Sequence, residues 1–173
     1  KKNKIALITG VTRGIGKAVC LTFAKQNIQV IGCSRNNKEL NLLKKELRKI
    51  NSLDNHFIRI DLSQKKSVNS LFRYIDKKKV YPDIIVNNVG GNLNYTDPLG
   101  PINEWHKVMR INVEAAIEIN RLCIPYMKRK KWGRICHVSS IAALENQGPP
   151  AYCASKAALN AYSKSLSREL AKS

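Results

Sequence analysis

Ile5-Ala6-Leu7-Ile8-Thr9-Gly10-Val11-Thr12-Arg13-Gly14-Ile15-Gly16 is the stretch that decides the fold of this chain. A short apolar run, Ile5–Thr9, reads as a strand. Three glycines follow it at once, the last two opening an amphipathic stretch that reads as a helix, Gly14–Lys25. Glycines there let the backbone turn tightly and approach a pyrophosphate closely. The helix start adds free N–H groups and a positive dipole end. A glycine trio is a weak signal by itself, and an ordinary glycine turn is the plain alternative. Directly after the first strand and at the head of the first helix, the trio favours a dinucleotide-phosphate turn.

Outward from this turn, short β-branched runs alternate with longer amphipathic ones. The further strands expected are Gln29–Cys33, His56–Ile60, Ile84–Asn87 and Arg134–Val138. The further helices expected are Lys38–Ile50, Lys65–Lys78, Asn103–Lys130 and Ala151–Lys172. In the third helix Val68, Leu71, Phe72 and Ile75 have the spacing of one buried face. This order predicts an α/β fold: a doubly wound, Rossmann-like parallel sheet in three α/β/α layers. The chain is read as a single nucleotide-binding domain over residues 1–173. With no strand after the last helix, the fifth strand would be an uncovered edge. The reading therefore expects further C-terminal strands and a substrate-binding region beyond this sequence.

Two arginines bear on the choice of dinucleotide. An acid after the second strand would grip a ribose 2′-hydroxyl, whereas an arginine accommodates a 2′-phosphate. Here the second strand runs into Ser34-Arg35-Asn36-Asn37, with no acid before Glu39, and Arg13 sits in the glycine turn. The pair favours NADP(H) over NAD(H), against the plain reading of two surface charges.

Tyr152-Cys153-Ala154-Ser155-Lys156 places a phenol and an ammonium four residues apart, on one helix face. A free phenol titrates near 10, too high for efficient acid–base work at neutral pH, and a neighbouring cation favours the phenolate. Tyr-x-x-x-Lys is common by chance, so its context carries the claim. Upstream, Ile135-Cys136-His137-Val138-Ser139-Ser140 is a strand ending in two hydroxyls, where a doubly wound sheet places its site. Asn112 interrupts a long apolar helical stretch; a satisfied structural amide is its plain reading.

Together these features resemble the classical short-chain dehydrogenase/reductase family over essentially the whole chain. The glycine turn resembles that family's Thr-Gly-x-x-x-Gly-x-Gly, and Asn87-Asn88-Val89-Gly90 its Asn-Asn-Ala-Gly, with Val89 for alanine. The resemblance implies that Tyr152 is the general acid/base and that Lys156 tunes it and holds the nicotinamide ribose. It implies that Ser140 orients the substrate carbonyl, with Ser139 as a rival because the gap to Tyr152 is one residue short. Asn112 would fix a proton-relay water. The cofactor would lie on Gly10, Thr12, Arg13, Gly14, Ile15 and Gly16, on Ser34 and Arg35, on Asp61 and Leu62, and on Asn88, Val89 and Gly90, as well as Tyr152 and Lys156.

Composition narrows the remaining classes. Apolar residues make up 43% of 173, which suits a packed domain. No apolar run approaches a membrane span, and Ile5–Ile8 is too short for a signal-peptide core, so a cytoplasmic protein is expected. Five cysteines at wide spacing, without a CxxC pair, argue against a zinc site or disulfide framework. Lys and Arg number 31 against 12 Asp and Glu, a net charge of +19. That charge raises a basic nucleic-acid-binding protein as an alternative, but it is spread along the chain and not interleaved with aromatics. No specific nucleic acid and no membrane partner are expected. The expected reaction is hydride transfer between NADP(H) and a carbonyl or secondary alcohol, in a chain that is a homo-oligomer when full length. A non-catalytic dinucleotide sensor on the same fold is the rival reading. The substrate is not readable: a sugar derivative and an acyl thioester both stay open.

Overall fold

The computed structural model describes residues 3–171. Five parallel strands form one sheet in the order β3-β2-β1-β4-β5: β1 (Ile5–Thr9), β2 (Gln29–Ser34), β3 (His56–Arg59), β4 (Ile84–Asn87) and β5 (Arg134–His137). All five residues of β1 are buried, because both of its faces are covered. Ile5 and Leu7 pack toward one core, with Leu71, Ile75 and Ile119. Ala6 and Ile8 pack toward the other, with Cys20, Leu40, Leu43 and Leu47. The strand's two-residue period thus splits one run of sequence between two layers. This is the expected α/β/α architecture.

Helix α1 (Gly14–Lys25) and helix α2 (Asn37–Ile50) cover one face; α3 (Ser67–Lys78) and α5 (Ala115–Arg129) cover the other. Asn36 caps α2, its Oδ1 accepting from the N–H groups of Lys38 (3.0 Å) and Glu39 (3.3 Å). The third helix starts at Ser67, two residues later than the spacing suggested. Asp61 holds the preceding residues in a turn: its Oδ1 accepts from the N–H (3.0 Å) and the Oγ (2.8 Å) of Ser63, and its carbonyl accepts from Ser67 Oγ.

The long helix expected over Asn103–Lys130 divides in three: α4 (Ile102–Met109), a π turn (Arg110–Glu114) and α5. Apolar spacing hardly distinguishes an α turn from a single π turn, so the break was invisible in sequence. Buried Arg110 braces the π turn with two bonds to Glu118, at 2.8 and 2.9 Å, and reaches the Gln64 carbonyl at 3.3 Å. A short helix α6 (Ala142–Glu145), also unforeseen, precedes α7 (Pro150–Leu170). The expected end of the last helix at Lys172 lies outside the described residues. Among the described residues no helix is long and apolar enough to cross a membrane, and β5 pairs with β4 alone.

The chain steps outward from β1 to β3, then returns to lay β4 on the opposite side of β1. Connections leave the carboxyl ends of β1 and β4 in opposite directions, which opens a crevice between them.

Candidate active site

The glycine turn lies in that crevice. Gly10 takes φ +71°, which favours glycine. A Cβ on Gly16 would stand 2.2 Å from the Gly10 carbonyl oxygen and 2.5 Å from Asn88 Nδ2, so nothing larger fits. Asn88 ties the turn to β4: its Nδ2 donates to the carbonyls of Thr9 (2.9 Å) and Gly10 (3.3 Å). Thr9 Oγ1 accepts from the N–H groups of Asn88 and Val89, both at 2.9 Å. The amino end of α1 has no side-chain cap and no acid in its first turn, which suits a bound anion.

Around the turn runs a cleft of about 320 Å3. Gly10, Thr12, Arg13, Gly14 and Ile15 line it from the glycine turn, and Ser34 and Arg35 from the end of β2. Asp61 and Leu62 line it after β3; Asn88, Val89 and Gly90 line it after β4. The sequence-predicted cofactor residues of these four segments are therefore brought together, with Gly16 buried beneath them. Thr12 Oγ1 and Ser34 Oγ share a hydrogen bond of 2.9 Å across the cleft. Arg59, which no motif singled out, donates from Nε to the Arg35 carbonyl at 3.2 Å. Its signal was register: it is the β3 partner of Ser34.

Asn112 occupies the π turn and is 1% exposed. Its Nδ2 donates to the carbonyls of Gly91 (2.8 Å) and Val108 (2.9 Å), and its Oδ1 accepts from the Gly91 N–H at 3.0 Å. The amide is thus satisfied, as its plain reading required, while it pins the loop after β4. Lys156 is 3% exposed. Its Nζ donates to the Val138 carbonyl at 2.8 Å and lies 5.7 Å from the centre of the Tyr152 ring. Burial holds this ammonium below the usual lysine range. A Cβ on Gly90 would stand 2.5 Å from Asn112 Oδ1 and 3.0 Å from Lys156 Nζ, so the π turn, the loop after β4 and α7 converge there.

The two serines differ in access. Ser139 Oγ is buried without a hydrogen-bond partner among the described residues. Ser140 Oγ accepts from the Ala142 N–H at 3.2 Å, and its residue is half-buried. Neither serine hydrogen-bonds Tyr152 among the described residues. Four of the five cysteines are buried, and burial pushes the thiols of Cys20, Cys33 and Cys123 up to about 12. A larger cavity of about 590 Å3 opens along β5 between α5 and α7, and it holds none of the sequence-predicted site residues.

A family model described as short chain dehydrogenase matches residues 4–173. The chain is 35% identical to an NADPH-dependent pterin aldehyde reductase of Arabidopsis thaliana, over 96% of this chain and 69% of that protein. It is 36% identical to a 3-oxoacyl-[acyl-carrier-protein] reductase of Rickettsia typhi, over 97% of this chain and 67% of that protein. The L-sorbose reductase of Gluconobacter frateurii, solved with NADPH and L-sorbose, superposes with a TM-score of 0.92 at 28% identity, covering 99% of this chain and 65% of that one. The chain thus spans about two thirds of the length of these proteins.

Proposed function

From the premise that the chain belongs to the short-chain dehydrogenase/reductase family, we propose that it is an oxidoreductase domain transferring hydride between NADP(H) and a carbonyl or secondary alcohol. The observation that carries this reading is the convergence of Lys156 Nζ and Asn112 on Gly90, a residue that lines the same cleft as the glycine turn. Residues 1–173 act as one NAD(P)-binding domain in this reading.

The cleft fits the dinucleotide. The uncapped end of α1 would take the pyrophosphate, and Asp61 and Leu62 would hold the adenine end. Arg13 and Arg35, both exposed at the cleft, supply the charge for a 2′-phosphate, with Arg59 beside Arg35. NADPH appears in the names of the pterin aldehyde reductase and of the sorbose reductase complex, which supports the same choice. The bound nicotinamide supplies the hydride. In the direction of reduction, Tyr152 gives its hydroxyl proton to the substrate oxygen, and Ser140 donates a hydrogen bond to that oxygen. The burial of Ser139 Oγ supports Ser140 for this role. Lys156 keeps positive charge beside the phenol, and Asn112 holds the π turn and the Gly91 loop in place. The substrate is a small carbonyl or alcohol compound, the location is cytoplasmic and the full-length protein is a homo-oligomer.

Titration of the protein with NADPH and NADH, followed by cofactor fluorescence, tests the reading. Tighter binding of NADPH is expected; tighter binding of NADH, or of neither, refutes it.

A further inference from the structure

Behind Lys156 lies a chain of polar side chains that no motif announced. His137 and Asn87 are register partners at the carboxyl ends of β5 and β4. Asn87 Nδ2 donates to Asn120 Oδ1 at 3.0 Å, and Asn120 Nδ2 donates to His137 Nε2 at 2.9 Å. An amide NH2 cannot accept, so Nε2 is the acceptor and the ring proton sits on Nδ1. Nδ1 then donates to Ser163 Oγ at 3.1 Å. Asn120 Nδ2 also donates to Tyr162 Oη at 3.1 Å, and the Tyr162 ring packs edge-on against the imidazole with centres 5.5 Å apart. Asn120 is fully buried.

The arrangement is a clamp on α7. Ser163 lies two helical turns beyond Lys156, on the same face. Lys156 holds the Val138 carbonyl, and Ser163 holds His137, the residue next to it. One helix is therefore fastened at two levels to two consecutive residues of one strand end. Packing against α6, α4 and the π turn seats the helix, and the two bonds add fixed points that set its register on the strand end.

We propose that His137 is a positioning residue: through Ser163 and Asn120 it holds α7 so that the Lys156 ammonium stays on the Val138 carbonyl beside Tyr152. The neutral ring this requires agrees with its surroundings. Burial first, and the charge of Lys156 second, hold the imidazole below the ordinary histidine range. The groups facing it are Lys156, Tyr162 and Ser163 from α7, Asn120 from α5 and Asn87 from β4, while Lys128, Lys131 and Arg134 line the cavity on its open side. The consequence for hydride transfer rests on the oxidoreductase reading; the placement of Lys156 does not.

The test is an NMR titration of 15N-labelled lysine side chains, with the Lys156 signal assigned by its loss in Lys156→Met. In the wild type its midpoint should fall below that of ordinary lysines. Ser163→Ala removes the helix end of the clamp and little else. It should move the midpoint up by about half a pH unit, as the ammonium gains water. His137→Leu should move it at least as far. His137→Gln, whose amide both accepts and donates, should keep it near the wild-type value. An unchanged midpoint in Ser163→Ala overturns the proposal, as does a glutamine variant that moves as far as the leucine one. Ser163→Ala decides the matter even where His137→Leu does not fold. Failure to bind NADPH would defeat the oxidoreductase reading and leave this titration standing.

Discussion

The Lys156 ammonium stands 5.7 Å from the centre of the Tyr152 ring, one helical turn away on α7, with one of its three N–H donors on the Val138 carbonyl at 2.8 Å. Each residue of this pair has its own measurable consequence.

Tyr152→Phe removes the proton donor and keeps the ring. Turnover of any carbonyl compound the wild type reduces should fall by about 10²–10⁴-fold. NADPH affinity should stay within about twofold, because Tyr152 does not line the cleft around the glycine turn. Steady-state rates normalised to bound cofactor check this, and retained turnover would remove Tyr152 from its proposed role.

Lys156→Met should stabilise the protein at neutral pH while abolishing turnover. Burial holds the lysine below 10.5. Between its folded value and 10.5 the unfolded chain binds the proton more tightly than the folded one. Wild-type stability therefore rises with pH across that window. The methionine variant lacks this slope, so its advantage should shrink as the pH approaches 10.5. Urea midpoints measured from neutral to alkaline pH decide it; a variant less stable than wild type at pH 7 contradicts the argument.

The acid side has the same sign and the same chief cause, burial of a group that would carry positive charge. His56 and His137 are both lowered from 6.5, chiefly by burial. Below 6.5 the unfolded chain takes up protons that the folded chain refuses, so stability is lost as the pH falls through the folded values. His137→Gln keeps hydrogen bonding without titrating and should flatten this acid limb. An identical limb in the variant would mean that other groups produce it.

Gly16→Ala and Gly14→Ala separate contact from conformation. The methyl at Gly16 meets the Gly10 carbonyl at 2.2 Å, whereas the one at Gly14 (φ +52°) meets nothing within 4 Å. Gly16→Ala should cost about 1–3 kcal/mol by overpacking and abolish NADPH binding. Gly14→Ala should cost about 1 kcal/mol of backbone strain. Equal losses in urea denaturation would show that the close approach is not the cause.

Removing Arg13 and Arg35 together should weaken NADPH binding by about tenfold or more, as expected for charge-assisted hydrogen bonds. NADH binding should barely change. The difference should narrow at high salt, since both residues are exposed. Parallel loss of both cofactors would place the arginines elsewhere.

Much of the fold was legible because its signals are local. β1 and β4 fall where the apolar runs put them, and Val68, Leu71 and Ile75 form the buried face of α3 that their spacing predicted. That the segments expected to hold the cofactor would line one cleft was legible for a related reason. A doubly wound sheet returns the end of every strand to one edge, so residues far apart in sequence meet once the strand order is known. The π turn under Asn112 was not legible, since a single wide turn barely disturbs helical spacing. Nor was Arg59, which reaches Arg35 only because Ser34 and Arg59 are paired across two strands.

By itself the sequence determined the five strands, most of the helices, the glycine turn and the Tyr152–Lys156 spacing, because backbone preference, apolar period and helical pitch act over a few residues. Tertiary structure alone decided what surrounds that pair. The bonds of His137 to Asn120 and Ser163 span 17 and 26 residues, and that of Asn87 to Asn120 spans 33. Their directions depend on how α5 and α7 seat against the ends of β4 and β5. That seating is set by packing of the whole layer, which no local pattern encodes.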